Sequence, residues 1–173
     1  MQKLASFEEV LPKLLNIELF SDFNKNSERD RKIMQLVYEN LRLKEFGAGD
    51  IIIKEGSKGD LFYILYSGSV QVLQSTFEGD QIALANLNSS MNVFFGESAL
   101  ISDDVRTATI AATTACRTIT LSKKAFTAIC EEEPLFGYRV LLHLSQRMLS
   151  TIRSGNIDKA TLYEALYNEI ANA

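Results

Sequence analysis

From Leu41 to Ser122 the chain is a succession of short β-patterned runs cut by glycine and polar turns, and helical periodicity is confined to either side. Leu41–Phe46 largely alternates, Ile51–Ile53 is a β-branched run, and Leu61–Tyr66, Ser69–Gln74, Gln81–Leu87, Arg106–Ala112 and Cys116–Leu121 follow. Gly47–Asp50, Glu55–Asp60, Ser67-Gly68 and Glu78-Gly79-Asp80 separate them. About eight strands this short, with turn signals roughly every 8–12 residues, point to a sandwich or barrel. Glycine suits such turns because it reaches positive φ without a side-chain clash.

The flanks read differently. Phe7, Val10, Leu11, Leu14 and Leu15 recur at helical spacing, and Ser6 with Glu9 forms a capping-box pattern. Pro12 is expected to kink this helix or restart it. A second helix is expected over Ser27–Asn40 with Ile33, Met34, Leu36 and Val37 inward and Ser27 as its cap. After the strands, Lys123–Glu131 reads as a short helix and Pro134 opens a longer one. Its expected apolar face carries Leu135, Val140, Leu141, Leu144, Met148, Leu149 and Ile152. Glu131–Glu133 ahead of Pro134 complements the positive start of that helix. Ser154-Gly155-Asn156 is expected to interrupt it, with Leu162, Leu166 and Ile170 continuing the period beyond. The expected architecture is α+β: a mainly-β, jelly-roll-like roll over 41–122, N-terminal helices over 1–40 and C-terminal helices over 123–173, all in one domain.

Charge and composition remove several function classes. The 173 residues are 46% apolar and 23% charged, which suits a globular core. Lys and Arg total 18 against 22 Asp and Glu, a net charge of −4. A surface that embraces nucleic acid needs clustered positive charge, so no nucleic-acid partner is expected. Cys116 and Cys130 are too few for a disulfide framework or a metal cluster, and each reads as a buried small hydrophobe. The single histidine, His143, lies beside core leucines and leaves little for a triad or a metal site. No nucleophile–base pair or paired carboxylates stand out, so no catalytic residue is assigned and no enzyme is expected. Glu8, Glu9 and Lys13 break any signal-peptide core, no membrane anchor is seen, and a cytoplasmic location is the expectation.

The segment that carries chemistry is Phe94–Thr109. Gly96 permits close backbone approach at the start of a short helical turn, Glu97–Ile101, whose first N–H groups can face an anion. Arg106, expected to open the next strand, can send its guanidinium into the concave side of the roll, where a phosphate would give a bidentate fit. Glu97 would be repelled by phosphate alone, but a sugar hydroxyl within reach would donate to it. Donors and an arginine for phosphate, with an acceptor for ribose, describe a nucleotide monophosphate site. A plain Glu97–Arg106 salt bridge is the alternative.

This segment resembles the phosphate-binding cassette of the cyclic nucleotide-binding domain family, over 95–108: Phe95-Gly96-Glu97-Ser98-Ala99-Leu100, then Arg106-Thr107-Ala108 at the family's usual spacing. Upstream, Phe46–Ile64 and Gly68–Val72 are similar to the family's glycine-punctuated first half, Leu19-Phe20 to its approach, and Thr118–Phe126 to its last strand and following helix. The type is that of catabolite activators and protein-kinase-A regulatory subunits. One departure is the loop Asn88–Val93, which lacks the glycine-bearing turn usual before Phe-Gly-Glu.

The resemblance implies a cyclic nucleotide ligand, with cAMP placed ahead of cGMP, and no other cofactor. It implies that Arg106 pairs with the cyclic phosphate, assisted by the N–H groups of Ser98, Ala99 and Ala108. Glu97 would accept from the ribose 2′-hydroxyl; Phe95 and Gly96 complete the cassette. Val72 and Leu84 would touch ribose or base. Thr107 would meet the phosphate or a syn guanine; hydroxyls there occur in binders of either nucleotide. A lid over the base is expected near Arg147–Asn156, and ligand binding would move the C-terminal helices. Those helices could also serve a homodimer or an effector protein. A helix-turn-helix is not expected, since the 20 residues after Arg153 include Asp158, Glu164 and Glu169 and no basic recognition helix. The alternatives are a scaffold or dimerisation domain of this fold that binds no ligand, or the regulatory fragment of a larger transcription factor or enzyme.

Overall fold

The computed structural model describes residues 4–171, with side chains at all but 162, 165, 166 and 168–171. Among the described residues, helices α1 (Phe7–Leu15) and α2 (Glu28–Glu39) lead into eight strands: β1 (Arg42–Phe46), β2 (Ile51–Ile53), β3 (Leu61–Ser67), β4 (Ser69–Ser75), β5 (Gln81–Asn88), β6 (Phe94–Phe95), β7 (Thr109–Ala112) and β8 (Cys116–Ser122). Helices α3 (Lys123–Glu132) and α4 (Pro134–Ala171) follow. The strands form two antiparallel four-stranded sheets, ordered β1-β8-β3-β6 and β2-β7-β4-β5. The α+β roll flanked by helices is therefore the observed architecture.

Local chemistry accounts for the helix boundaries. The Glu9 carboxylate accepts from the Ser6 N–H at 2.9 Å and its hydroxyl at 2.6 Å, fixing the start of α1. Pro12 lies inside α1 and does not restart it. The Ser27 and Ser122 hydroxyls accept from the N–H groups of Asp30 and Ala125, each at 3.2 Å, capping α2 and α3.

Two cores result. Inside the roll, Ile53, Tyr63, Leu65, Val70, Phe95 and Ile110 face one another across the sheets. Between the roll and the helices, Leu14, Phe20, Ile33, Phe62, Ile119 and Phe136 anchor a larger cluster. Phe136 is fully buried, its ring 6.1 Å from Phe20, 5.9 Å from Phe23 and 5.8 Å from Phe126. It roots α4 against the N-terminal helices.

The expectations for α4 need two corrections. Ser154-Gly155-Asn156 does not interrupt it: Pro134–Ala171 is one helix of 38 residues. Glycine inside a helix costs only about 1 kcal/mol relative to alanine, and good helix formers on both sides outweigh it. Nor is its apolar face one buried stripe. Val140 and Leu144 are buried, but Leu141 between them is exposed on the outer side of the helix, and Met148, Leu149 and Ile152 are exposed where the helix has left the core. The side chains of Leu162, Leu166 and Ile170 lie outside the described ones. Cys116 is buried as expected, whereas Cys130 is only partly so.

Candidate functional site

The site is built where the two sheets meet the loop between β6 and β7. Gly96, at φ +73°, turns the chain out of β6 into a 3-10 turn, Glu97–Leu100. Before β6, the loop that departs from the family pattern ends in Asn92, at φ +52°. Asparagine tolerates this left-handed conformation better than other side chains, so it supplies the bend expected of glycine. The loop is held from α1, where the Lys13 ammonium donates to the Ser89 carbonyl at 2.5 Å and the Asn92 side-chain oxygen at 3.2 Å.

Arg106 is not the first residue of a strand, as expected, because β7 begins at Thr109. Its backbone is claimed by the turn between β2 and β3 instead. The Arg106 N–H donates to the Ser57 carbonyl at 2.9 Å, and its own carbonyl accepts from Gly56 at 2.8 Å. The side chain still enters the concave side. It is 6% exposed, and its guanidinium donates to the Gly96 carbonyl at 3.1 Å and the Leu61 carbonyl at 2.7 Å. A side chain on Gly59 or Gly96 would start 3.0 or 2.8 Å from a guanidinium nitrogen, so both glycines make room for it. The Glu97–Arg106 salt bridge does not form. Arg106 has no carboxylate partner among the described residues, although a buried cation is costly without an anion.

A pocket of about 320 Å³ opens over this guanidinium. Its apolar lining is Ile53, Val72, Leu87, Phe94, Phe95 and Ile110, and its polar side is made by Gly96, Glu97, Ser98, Thr107 and Ala108. Beneath it Tyr63 stacks on Phe95, with ring centres 5.4 Å apart and planes at 16°. Burial pushes the Tyr63 hydroxyl pKa up, against a smaller opposing pull from Arg106, and Asp60 adds to the rise. Tyr63 is thus a neutral stacking partner. The N–H groups of Ser98 and Ala108 have no backbone acceptor among the described residues, whereas the Ala99 N–H is already committed to the Gly96 carbonyl at 3.2 Å.

Two of the expected site residues are not in the lining. Ala99 is buried beneath the turn. Leu84 is exposed, because β5 carries a bulge there: Val72 pairs with Ala85 and Leu73 with Ala83, leaving Leu84 as the extra residue. The bulge resets the alternation, and Leu87 takes the place in the wall.

Arg147 is the residue that strand patterns could not place. It projects from α4 into the pocket mouth, at the first position of the region expected to carry the lid. Its Nε donates to Glu97 Oε1 at 3.1 Å, its Nη1 lies 3.5 Å from Glu18 Oε2, and its guanidinium sits 4.6 Å from the centre of the Phe94 ring. The family resemblance points to this region without assigning the contact residue.

The family described as "Cyclic nucleotide-binding domain" matches this chain over residues 43–133. The chain belongs to the cyclic nucleotide-binding domain family. Over 76 residues it is 45% identical to the cGMP-dependent protein kinase 2 of Homo sapiens, covering 44% of this chain and 10% of that protein. Over 90 residues it is 37% identical to the cAMP-dependent protein kinase regulatory subunit of Hypocrea atroviridis, covering 52% of this chain and 18% of that one. The chain thus spans a small part of the length of these relatives. A crystal structure of a cyclic nucleotide-binding domain from Methylobacillus flagellatus superposes with a TM-score of 0.70 at 22% identity, over 86% of this chain and 79% of that one. This cyclic nucleotide-binding domain places its matched region around the pocket, with β6, the 3-10 turn and Arg106 inside it. Among the described residues, no cluster of His, Cys, Asp and Glu could hold a metal ion, and no helix is long and apolar enough to cross a membrane.

Proposed function

We propose that this domain is a sensor that binds a cyclic nucleotide in the pocket over Arg106, with cAMP placed ahead of cGMP, and passes the event to α4. The observation that carries the reading is Arg106 itself: a buried guanidinium at the floor of an open pocket, held by two neutral carbonyls and by no carboxylate among the described residues. A cyclic phosphate supplies the missing negative charge. The Ser98 and Ala108 N–H groups add donors, Glu97 accepts from the ribose 2′-hydroxyl, and Val72 and Leu87 cover the apolar face of the sugar and base. Thr107, exposed at the rim, is within the same lining for a second polar contact.

Arg147 brings α4 to the mouth of that pocket, so ligand that enters would meet this helix at Arg147 and shift it. On the same helix, exposed Leu141, Met148, Leu149 and Ile152 offer the surface on which a second copy or an effector protein would dock.

Calorimetric titration with cAMP and cGMP tests the reading and ranks the two ligands. Saturable binding is expected, abolished by Arg106→Ala with the fold intact by circular dichroism. Undiminished binding to Arg106→Ala would show that the ligand sits elsewhere. Sedimentation equilibrium with and without ligand tests self-association through α4.

A further inference from the structure

The loop between β5 and β6 joins two residues of the pocket lining, Leu87 just before it and Phe94 just after it. Its ends are fixed by the roll. The Ser89 N–H donates to the Gly68 carbonyl at 3.1 Å, and the Val93 carbonyl accepts from the Leu65 N–H at 2.9 Å. Between those points Ser90 bonds within the loop, its N–H and hydroxyl donating to the Asn88 side-chain oxygen at 3.0 and 2.5 Å. Among the described residues, Lys13 of α1 is the side chain that reaches the loop from outside, donating to the Ser89 carbonyl and to Asn92 Oδ1. It is half-buried, burial pushes its pKa down, and its ammonium pairs with no carboxylate among the described residues. Neutral oxygens of the loop are what this cation has in place of a counter-charge.

The bend it holds is the costly one. Asn92 is the non-glycine residue at positive φ among the described residues. Glycine would take that conformation unaided, whereas asparagine takes it at a cost that surrounding bonds must offset. Beside the loop lies a second cavity of about 360 Å³, lined by Asn16 and Glu18 from the N-terminal segment and by Met91 and Asn92 from the loop. The loop therefore has space to relax into. Lys13, one helical turn before Asn16, supplies the hydrogen bonds that tie the two segments together.

We infer that Lys13 is the positioning residue of the pocket rim: its ammonium holds the left-handed bend at Asn92 and, through it, the places of Leu87 and Phe94 against the ligand, a role that rests on the proposed reading of the pocket as a nucleotide site. Nucleotide affinity is thereby tied to the docking of α1, on the far side of the loop from the cassette.

The experiment measures deuterium uptake over 87–94 and over α1, and calorimetric dissociation constants for cAMP and cGMP, in the wild type, Lys13→Met, Asn92→Gly and Lys13→Met/Asn92→Gly. Methionine keeps an apolar stem in place of the lysine, and thermal melts check the fold. Lys13→Met is expected to raise uptake over 87–94 but not over α1, and to weaken the tighter-binding nucleotide about fivefold, the size of one partly exposed hydrogen bond from a charged group. In Asn92→Gly the backbone holds the bend and the Oδ1 acceptor is gone, so the same substitution should cost less than about twofold. Unchanged uptake over 87–94, unchanged affinity, or an equal loss of affinity in both backgrounds would each overturn the inference. An equal rise in uptake over α1 would make Lys13 a structural residue of that helix and overturn it too. Failure of the wild type to bind either nucleotide overturns the reading of the pocket and the affinity part of the inference with it, while uptake over 87–94 still decides whether Lys13 holds the rim.

Discussion

Arg139 of α4 donates to the buried carboxylate of Asp30 in α2 at 3.0 Å, with its guanidinium 4.9 Å from the centre of the Phe23 ring. Asp30 also accepts the Asn24 N–H at 2.9 Å. One carboxylate thus joins the loop ahead of α2 to the root of α4. Arg139→Met would leave that carboxylate buried and unpaired. Because the arginine is partly exposed, the expected loss is about 2 kcal/mol, below the usual cost of breaking a fully buried pair. Urea denaturation should show it, and Asp30→Asn in the same background should recover part of it.

Gly96→Ala should damage folding and binding together. The residue sits at φ +73°, and an added Cβ would lie 2.8 Å from the Arg106 guanidinium. Left-handed backbone alone costs a non-glycine residue about 1–2 kcal/mol, and displacement of Arg106 would remove the pocket's buried cation. The expected outcome is a lowered Tm and loss of calorimetric binding. Gly49, also at positive φ but with nothing within 4 Å of the added carbon, should lose stability and keep binding.

A pH signature belongs to the loop beside the pocket. Asp103 accepts from Lys123 at 2.7 Å, and that hydrogen bond and charge hold its carboxyl below the usual range. A carboxyl depressed in the folded state contributes stability above its unfolded pKa of about 4 and loses it as pH falls through the folded value. Lys123→Ala should therefore lower Tm slightly at pH 6, with a difference that shrinks as pH falls below about 4. Added salt should shrink the difference, because both the pair and its setting are solvated.

The two thiols should be slow towards thiol reagents at neutral pH. Burial, and then the Glu131 charge, push the Cys130 pKa up, and Cys116 is buried with its Sγ 3.1 Å from the Ser69 carbonyl. Reaction needs the thiolate. Mass spectrometry after brief exposure to iodoacetamide at pH 7 should show little labelling, and full labelling of both in denaturant. Fast labelling of Cys130 in the native protein would contradict its packing against Gly137.

The roll was legible because its signals are local. Glycines at the turns and alternating runs marked seven strands, and the cassette's residue types placed a cation, a carboxylate and free N–H groups together. What stayed hidden depends on register or on distant chain. Strand β6 is only Phe94–Phe95, too short to show a period. The bulge at Leu84 exchanges the wall residue for Leu87 without any turn residue to announce it. Arg147 reaches Glu97 across 50 positions of sequence, a contact that no spacing rule could supply. The continuity of α4 through Gly155 shows a local signal overridden by its helical neighbours.

The bulge that moved Leu84 out of the pocket wall has a second effect, on what the molecule avoids. Strand β5 lies at the end of its sheet, after β4, and so carries a row of unpaired backbone groups on its outer side. Exposed Ile82 and Leu84 make that rim attractive to another chain's strand. A newcomer pairing along Gln81–Asn88 would meet a register break at Leu84 and could not run a straight ladder past it. The irregularity protects the free edge against edge-to-edge aggregation, as bulges on other exposed sheet edges do.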